Sequence, residues 1–259
     1  MNSPREKLVM VTCYDATFAK ICASVEGIDY VLVGDSLGMV IAGDTSTQNV
    51  SMDQMLYHIR AVARGLKNSR NLPLIGDMPI HSYDNTEIAV TNAGKMIEAG
   101  CSMVKVEGPV LEVVSGLRAA DIPVCGHIGL TPQSIQDYKL QGKTDSEAAR
   151  LMKEAAELQQ AGCGLLVLEM IPALLAEQIT KSLLIPTIGI GAGPHCSGQV
   201  LVLYDLLGLN PDFAPKFLKK FSNGFDWVQA ALKTYSSEVK SGEYPSVEYS
   251  FTSKTSDEE

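Results

Sequence analysis

Five apolar, strand-like runs of this chain end at ionisable side chains, which are Asp35, Asp77, Glu107, His127 and Glu169. Three of the four carboxylates among them, Asp35, Asp77 and Glu107, end neighbouring strands and would repel one another at a common site, so they would need a cation, a proton or a basic partner there. Oxygen-only ligands suit a hard ion such as Mg²⁺. Each Asp taken alone could instead cap a following helix. Three acids in succession favour a metal site at Asp35, Asp77 and Glu107.

Lys105 and Ser36 are candidates for binding an anion. Lys105 lies two residues before Glu107, so both side chains point to the same side of a strand. A lysine directed into the protein is costly unless it meets an anion. That anion could be Glu107, in a salt bridge at the rim, or a substrate carboxylate. Ser36 offers a hydroxyl and a backbone N–H to the same anion, or it simply forms a turn.

Glu169 and His127 are candidates for acid–base chemistry. Glu169 follows four consecutive aliphatic residues, and a carboxylate in apolar surroundings is a better base near neutral pH. The alternative for Glu169 is a paired glutamate at the rim. His127 is a second candidate for substrate contact, although a lone histidine is more often a hydrogen-bonded structural residue.

Together these groups indicate one type of reaction. A metal chelated by a 2-keto acid acts as a Lewis acid on the keto oxygen and makes a neighbouring proton easier to remove. In this scheme Lys105 and Ser36 hold the substrate carboxylate and Glu169 takes the proton. The resulting enolate could then attack an electrophilic carbon.

Side chains so far apart in the sequence need a fold that brings strand ends together. The pattern predicts eight strand-then-helix units, which favour a parallel α/β sheet. Eight units in 259 residues favour a closed (β/α)₈ TIM barrel, in which all strand C-terminal ends meet on one face. The predicted strands cover residues 8–12, 30–33, 72–76, 103–106, 122–125, 165–168, 186–190 and 199–204. The last of these could also be helical.

The predicted domain organisation is a single barrel over residues 1–245 and a flexible tail over 246–259. Ser51 has the position of a helix N-cap, and Gln54 would complete a capping box. The last helices are predicted over 213–221 and 227–239. The glycine-rich run at 189–193 does not match the dinucleotide-binding pattern, so we interpret it as a tight turn at the barrel mouth.

Composition excludes several classes of partner. A net charge of −9 does not favour a protein that binds nucleic acid. No apolar run has the length of a membrane span, and the N-terminal residues lack the apolar segment of a secretion signal. The six cysteines are widely spaced, which indicates reduced, buried thiols in a cytoplasmic protein.

Four longer segments stand out at the strand ends, and they are VGDSLG at 33–38, MVKVEG at 103–108, PVCGHIGLTPQ at 123–133 and IGIGAG at 188–193. Together they resemble the ketopantoate hydroxymethyltransferase family. The similarity runs from about residue 11 to about residue 221 and implies a barrel of the phosphoenolpyruvate/pyruvate superfamily type. It also implies transfer of a one-carbon unit from 5,10-methylenetetrahydrofolate to 3-methyl-2-oxobutanoate, which gives 2-dehydropantoate.

The resemblance also implies roles for individual residues. Asp35 and Asp77 would bind Mg²⁺, and Glu107 would contact the metal site, directly or through water. The keto acid would be contacted by Asp35, Ser36, Asp77 and Lys105. Glu169 would be the proton acceptor. The family is cytoplasmic and commonly forms a homo-oligomer, a decamer of stacked pentamer rings.

Two alternative functions stay open at this point. The first is a related Mg²⁺-dependent carbon–carbon lyase or mutase that acts on a 2-keto acid, which would share the fold, the metal and the enolate. The second is a barrel that has lost catalysis and serves as a binding protein. Dependence on folate separates the first alternative from the hydroxymethyltransferase, and stabilisation by Mg²⁺ with keto acid separates the second.

Overall fold

Eight parallel strands close into a barrel in the computed structural model, which describes residues 6–67, 72–134 and 139–251. Each strand pairs with the next along the chain, and β8 pairs with β1. The strands are β1 Leu8–Thr12, β2 Tyr30–Val33, β3 Leu74–Asp77, β4 Met103–Glu107, β5 Val124–Gly129, β6 Leu165–Glu169, β7 Thr187–Ile190 and β8 Gly198–Leu201. The predicted (β/α)₈ barrel is confirmed.

Helices follow every strand except β7, because residues 191–197 between β7 and β8 form turns and bends. The prediction of a helix after each of the eight strands is therefore wrong at β7. The helices are α1 Ala16–Ser24, α2 Leu37–Val40, α3 Met52–Leu66, α4 Thr86–Ala99, α5 Leu111–Ala119, α6 Asp145–Ala161, α7 Ala173–Ser182, α8 Leu203–Leu206 and α9 Gly224–Ser241. A short 3₁₀ helix spans Val247–Tyr249. The predicted capping box is confirmed, because Ser51 accepts from the Gln54 backbone and Gln54 from the Ser51 backbone. The segment 199–204 holds the end of β8 and the start of α8, so both alternatives for it occur.

One predicted helix is wrong. The described residues from Phe213 to Phe221 form turns and extended chain. The backbone N–H of Phe221 donates to the carbonyl of Leu206 at 2.7 Å, whereas in a helix it would donate four residues back. Lys220 also donates to the carbonyls of Asn210 and Pro211. These longer-range bonds hold the segment as a loop. The helix predicted over 227–239 lies within α9.

The described chain divides into two units. The first holds residues up to Leu203 together with Lys216–Leu218, and it includes the barrel strands. The second holds Tyr204–Pro215 and the residues from Lys219 onward, and it includes α9. The barrel predicted over 1–245 and the flexible tail over 246–259 stay predictions, and residues 252–259 lie outside the described part of the chain.

Alternation along the strands separates an apolar layer from an ionisable one inside the barrel. The apolar layer consists of Met10, Leu32, Ile75, Cys125, Leu165, Val167, Ile188 and Val200, with Met103 packed against it. Two residues further along β3 and β6, on the same face, stand Asp77 and Glu169. The layer therefore forms a packed floor beneath the strand ends.

Two further observations concern the state of the cysteines and the length and hydropathy of the helices. All six cysteines are free and buried, as the composition predicted. Within the described ranges, no helix is both long and apolar enough to cross a membrane.

Gly65 of α3 allows a close approach of α1 that an alanine would not permit. An added Cβ would lie 2.5 Å from the carbonyl oxygen of Ala16 and 2.6 Å from Cβ of Ala19. Gly65→Ala should therefore lower the free energy of unfolding by about 1–3 kcal/mol, because overpacking forces the two helices apart. Urea unfolding would measure the change.

Gly94 of α4 is the matched control. In the described chain, apart from its chain neighbours and the adjacent helix backbone, no atom lies within 4 Å of its added Cβ. Gly94→Ala should therefore raise the free energy of unfolding by up to about 1 kcal/mol through helix propensity. Equal effects of the two substitutions would contradict a tight contact at Gly65.

Candidate active site

Three carboxylates meet at the C-terminal end of the barrel. Asp77 and Glu107 are the last residues of β3 and β4, and Asp35 lies two residues beyond β2. One oxygen from each lies within 4.8 Å of the others, and all three residues are buried. The structure therefore brings together the three acids that the sequence singled out as metal ligands.

Lys105 supplies the positive charge next to these acids. Its Nζ lies 2.8 Å from Oδ1 and 2.7 Å from Oδ2 of Asp77, and 3.3 Å from Oε1 of Glu107. The sequence offered Glu107 as its partner, but the shortest contacts go to Asp77. Burial opposes the charge of Lys105, yet Asp77 and Glu107 outweigh it and hold its pKa well above the ordinary value.

The acids differ in how far their charge is compensated. Burial and then the charge of Asp77 raise the pKa of Asp35 well above its usual range. Burial also raises the pKa of Asp77, although Lys105 opposes the shift. Burial acts in the same direction on Glu107, but Lys105 and His127 outweigh it and lower its pKa to about 2. Among the described residues, Asp35 takes part in no salt bridge, so it carries the least compensated charge of the three.

This donor set fits a hard divalent cation. Its ligand atoms are carboxylate oxygens, which Mg²⁺ prefers over nitrogen or sulfur. The side-chain amide of Gln133 donates a hydrogen bond to Oδ2 of Asp35. Within the described chain, Oδ1 of Asp35 accepts no hydrogen bond. Three carboxylates beside one lysine also leave an excess of negative charge that a cation would neutralise.

His127 links the acid cluster to Glu169. Its Nδ1 lies 3.0 Å from Oε1 of Glu107, and its Nε2 lies 3.2 Å from Oε2 of Glu169. The contact to Glu169 is not aligned as a hydrogen bond, so Nε2 has no aligned partner within the described chain. Burial and Lys105 disfavour the charged imidazole, but Glu107 and Glu169 raise the pKa of His127 to about 9.

The backbone of Glu169 is fixed by the neighbouring strand. Its carbonyl accepts a hydrogen bond from the Leu130 N–H at 2.9 Å. Gly129 precedes Leu130 with φ of 100°, and a Cβ there would lie 2.2 Å from the same carbonyl oxygen. The side chain of Glu169 is 19% exposed, more than the other acids of the mouth. Glu169 therefore stands at the rim, where a substrate could reach it.

The hydroxyl of Ser36 contacts a tyrosine, whereas the sequence suggested that it contacts an anion. Its Oγ lies 2.8 Å from the hydroxyl of Tyr14, a buried residue that follows β1. The Tyr14 carbonyl lies 2.6 Å from Nδ1 of His58 on α3. The structure thus places the Ser36 hydroxyl beside Tyr14, and a substrate contact for Ser36 stays a prediction.

Sequence reasoning missed Gln133 and Tyr83. Gln133 is 2% exposed and donates to Asp35, while its backbone N–H donates to Oε2 of Glu107 at 3.1 Å. Tyr83 donates its hydroxyl to Oε1 of Gln133. Both residues lie in loops beyond strands, where no periodic pattern marks a buried polar side chain. The available signal was the position of Gln133 at the end of the 123–133 segment.

Comparison with known proteins gives a consistent result. The family model described as ketopantoate hydroxymethyltransferase matches residues 1–247. The 3-methyl-2-oxobutanoate hydroxymethyltransferase of Syntrophotalea carbinolica is 49% identical over 259 residues, with 97% of this chain and 96% of the relative covered. The relative of that name from Leptospira interrogans is 48% identical, with 95% of each chain covered.

Solved structures share the fold at low sequence identity. A 2,3-dimethylmalate lyase of the PEP mutase/isocitrate lyase superfamily is similar with a TM-score of 0.59 and 15% identity, covering 96% of this chain and 88% of its own. A phosphonopyruvate hydrolase, solved with oxalate and Mg²⁺, is similar with a TM-score of 0.60 and 13% identity, covering 94% and 88%.

Removal of the Lys105 charge should destabilise the protein. Lys105→Met leaves the buried carboxylates without their cation, so we expect a loss of about 3–5 kcal/mol in the free energy of unfolding at neutral pH. The pKa values of Asp35 and Asp77 are raised in the folded state, and the stability linked to such groups is lost as pH rises. The deficit should therefore shrink at mildly acidic pH, as measured by urea unfolding in the presence of a chelator.

Lys153→Met is the matched control. The Lys153 side chain is 75% exposed and lies 3.6 Å from Glu157, and such a surface pair contributes at most about 1 kcal/mol. A Lys105→Met variant as stable as this control, or one whose deficit does not change with pH, would show that the buried lysine does not compensate the acids.

Proposed function

The chain belongs to the ketopantoate hydroxymethyltransferase family, and we propose that it transfers a hydroxymethyl group from 5,10-methylenetetrahydrofolate to 3-methyl-2-oxobutanoate, giving 2-dehydropantoate. The observation that carries the proposal is one barrel mouth holding three clustered carboxylates, a buried lysine and a rim glutamate. These are the groups needed to bind a metal, to hold a 2-keto acid and to remove a proton beside its carbonyl.

We assign Asp35, Asp77 and Glu107 to a Mg²⁺ ion. Bound Mg²⁺ would supply Lewis acidity to the keto oxygen of the substrate and so favour loss of the C3 proton. The all-oxygen donor set supports this assignment, as does the position of Asp35, whose partner in the described chain is a neutral amide. The phosphonopyruvate hydrolase that shares the fold was itself solved with Mg²⁺ and oxalate, a small diacid.

Lys105 and Ser36 would hold the carboxylate of the substrate. An ammonium group has three donors, and all three are engaged by Asp77 and Glu107. The 3.3 Å contact to Glu107 is the longest of them. We expect the substrate carboxylate to replace that contact, while Asp77 keeps the lysine in place.

Glu169 would take the C3 proton, and His127 would assist it. His127 lies between Glu107 and Glu169, and its Nε2 is directed toward the Glu169 side with no aligned partner among the described residues. Nε2 can therefore orient the Glu169 carboxylate or donate to a substrate oxygen. Water cleaves the two carbon–nitrogen bonds of the methylene group, supplies the hydroxyl oxygen and releases tetrahydrofolate, and the enolate forms a carbon–carbon bond to the one-carbon unit.

A homo-oligomer, a decamer in particular, and a cytoplasmic location stay predictions from the family resemblance. Small-molecule substrates are the partners that the site favours, since its charged groups converge on a barrel mouth. Sedimentation of the purified full chain would determine its assembly state.

Dependence on the folate tests the proposed reaction. With Mg²⁺, 3-methyl-2-oxobutanoate and 5,10-methylenetetrahydrofolate, we expect 2-dehydropantoate to form and to be detected by proton NMR. Loss of the C3 proton signal in D₂O without any product in the presence of the donor would favour a carbon–carbon lyase or mutase. If neither C3 proton exchange nor 2-dehydropantoate is observed, the proposed reaction is contradicted.

Glu169→Gln should remove the proposed base and keep the size and shape of the side chain. Turnover and the rate of C3 proton exchange in D₂O should fall by roughly 10²–10⁴-fold, while Mg²⁺ binding is kept because Glu169 lies outside the cluster of three acids. Glu98→Gln, an exposed residue of α4, is the matched control and should exchange at the wild-type rate. Near wild-type exchange by Glu169→Gln would assign the base to another residue.

A further inference from the structure

We propose that Gln133 is a positioning residue of the metal site, and that Tyr83 fixes the orientation of its amide. Gln133 contacts two of the three clustered carboxylates without bringing any charge to them. Its Nε2 donates to Oδ2 of Asp35 at 3.0 Å, and its backbone N–H donates to Oε2 of Glu107 at 3.1 Å. One residue therefore holds one oxygen of each of two carboxylates, the one that follows β2 and the one that ends β4.

The direction of the amide is determined by the hydrogen bonds around it. Nε2 has two hydrogens, which go to Asp35 and to the carbonyl of Met78, 3.0 Å away. The flipped amide would place Oε1 against two oxygen acceptors, which is unfavourable. Only one orientation satisfies both neighbours.

Tyr83 supports that orientation from the other side. Its hydroxyl oxygen accepts from the Glu107 backbone N–H at 3.4 Å, which leaves its own hydrogen for Oε1 of Gln133. The bonds therefore run in one direction, from the Glu107 backbone through Tyr83 and Gln133 to Asp35. Bonds aligned in this way polarise and strengthen one another.

A neutral amide is suited to this position for an electrostatic reason. A lysine or arginine at residue 133 would neutralise Asp35 and compete with the cation, whereas an acid would add a fourth negative charge to the three clustered carboxylates. The amide holds Oδ2 and leaves Oδ1 and the negative charge available. Side chains that orient ligands in this manner commonly alter metal affinity when they are replaced.

The test is Mn²⁺ binding to chelator-treated, full-length protein, and it rests on the metal site of the proposed function. Gln133→Met keeps the length of the side chain and removes its polar atoms. We expect it to weaken Mn²⁺ binding by about 10- to 100-fold in calorimetry and to change the electron paramagnetic resonance spectrum of the bound ion. A residue that only stabilised the fold would lower the melting temperature and leave that spectrum unchanged.

Two further variants make the test specific. Tyr83→Phe keeps the ring and removes the hydroxyl, so Mn²⁺ affinity should fall in the same direction by a smaller factor. Gln48→Met removes a hydrogen bond to the backbone carbonyl of Gln133, 3.1 Å away, but none to a carboxylate. It should bind Mn²⁺ as the wild type does.

The outcomes separate this inference from the proposed function. If wild-type protein does not bind Mn²⁺, the metal site and the inference both fail. If the wild type binds and folded Gln133→Met binds equally well, the positioning role alone is overturned. Should Gln133→Met fail to fold, unchanged affinity in Tyr83→Phe would overturn the proposal.

Discussion

Three carboxylates buried within 4.8 Å of one another set the electrostatic problem around which the barrel mouth is arranged. Like charges at that separation in a low-dielectric environment repel strongly and resist ionisation. Lys105 compensates Asp77 and part of Glu107, and His127 compensates the rest of Glu107. Asp35 is left with a neutral amide as its partner. The ionised form of Asp35 is therefore the least compensated of the three, and a cation bound there would stabilise it.

The barrel holds these charged side chains in fixed positions because its strands pack around an apolar layer beneath the mouth. The apolar layer of Met10, Ile75, Val167 and their neighbours holds the strand interiors. Alternation along β3, β4, β5 and β6 then places ionisable side chains two residues beyond apolar ones. The ionisable groups therefore stand on a close-packed floor, and their geometry varies little, which a metal and a substrate both require.

Two sets of contacts meet at Glu107. One oxygen of its carboxylate contacts Lys105 and His127, and His127 leads on to Glu169 at the rim. Its other oxygen and its backbone bond to Gln133 and Tyr83, and these neutral hydrogen bonds continue to Asp35. The pKa of Glu107 is lowered, whereas the pKa of Asp35 is raised. The charged and the neutral contacts are therefore joined through one carboxylate.

The sequence by itself determined the barrel and the types of residue at its mouth, because hydrophobic alternation and strand-to-helix order are local properties of the chain. It also identified Asp35, Asp77 and Glu107, since each follows an apolar run directly. Partner choice was decided only by the tertiary structure. Lys105 meets Asp77 because the β3–β4 register pairs these two residues, although Glu107 is nearer in sequence. His127 reaches both Glu107, its register partner, and Glu169, which stands opposite Gly129. Gln133 became part of the site because the turn at residues 131–134 brings it to Asp35 and Glu107. Register and loop paths depend on closure of the whole barrel, and no local pattern of residues encodes them.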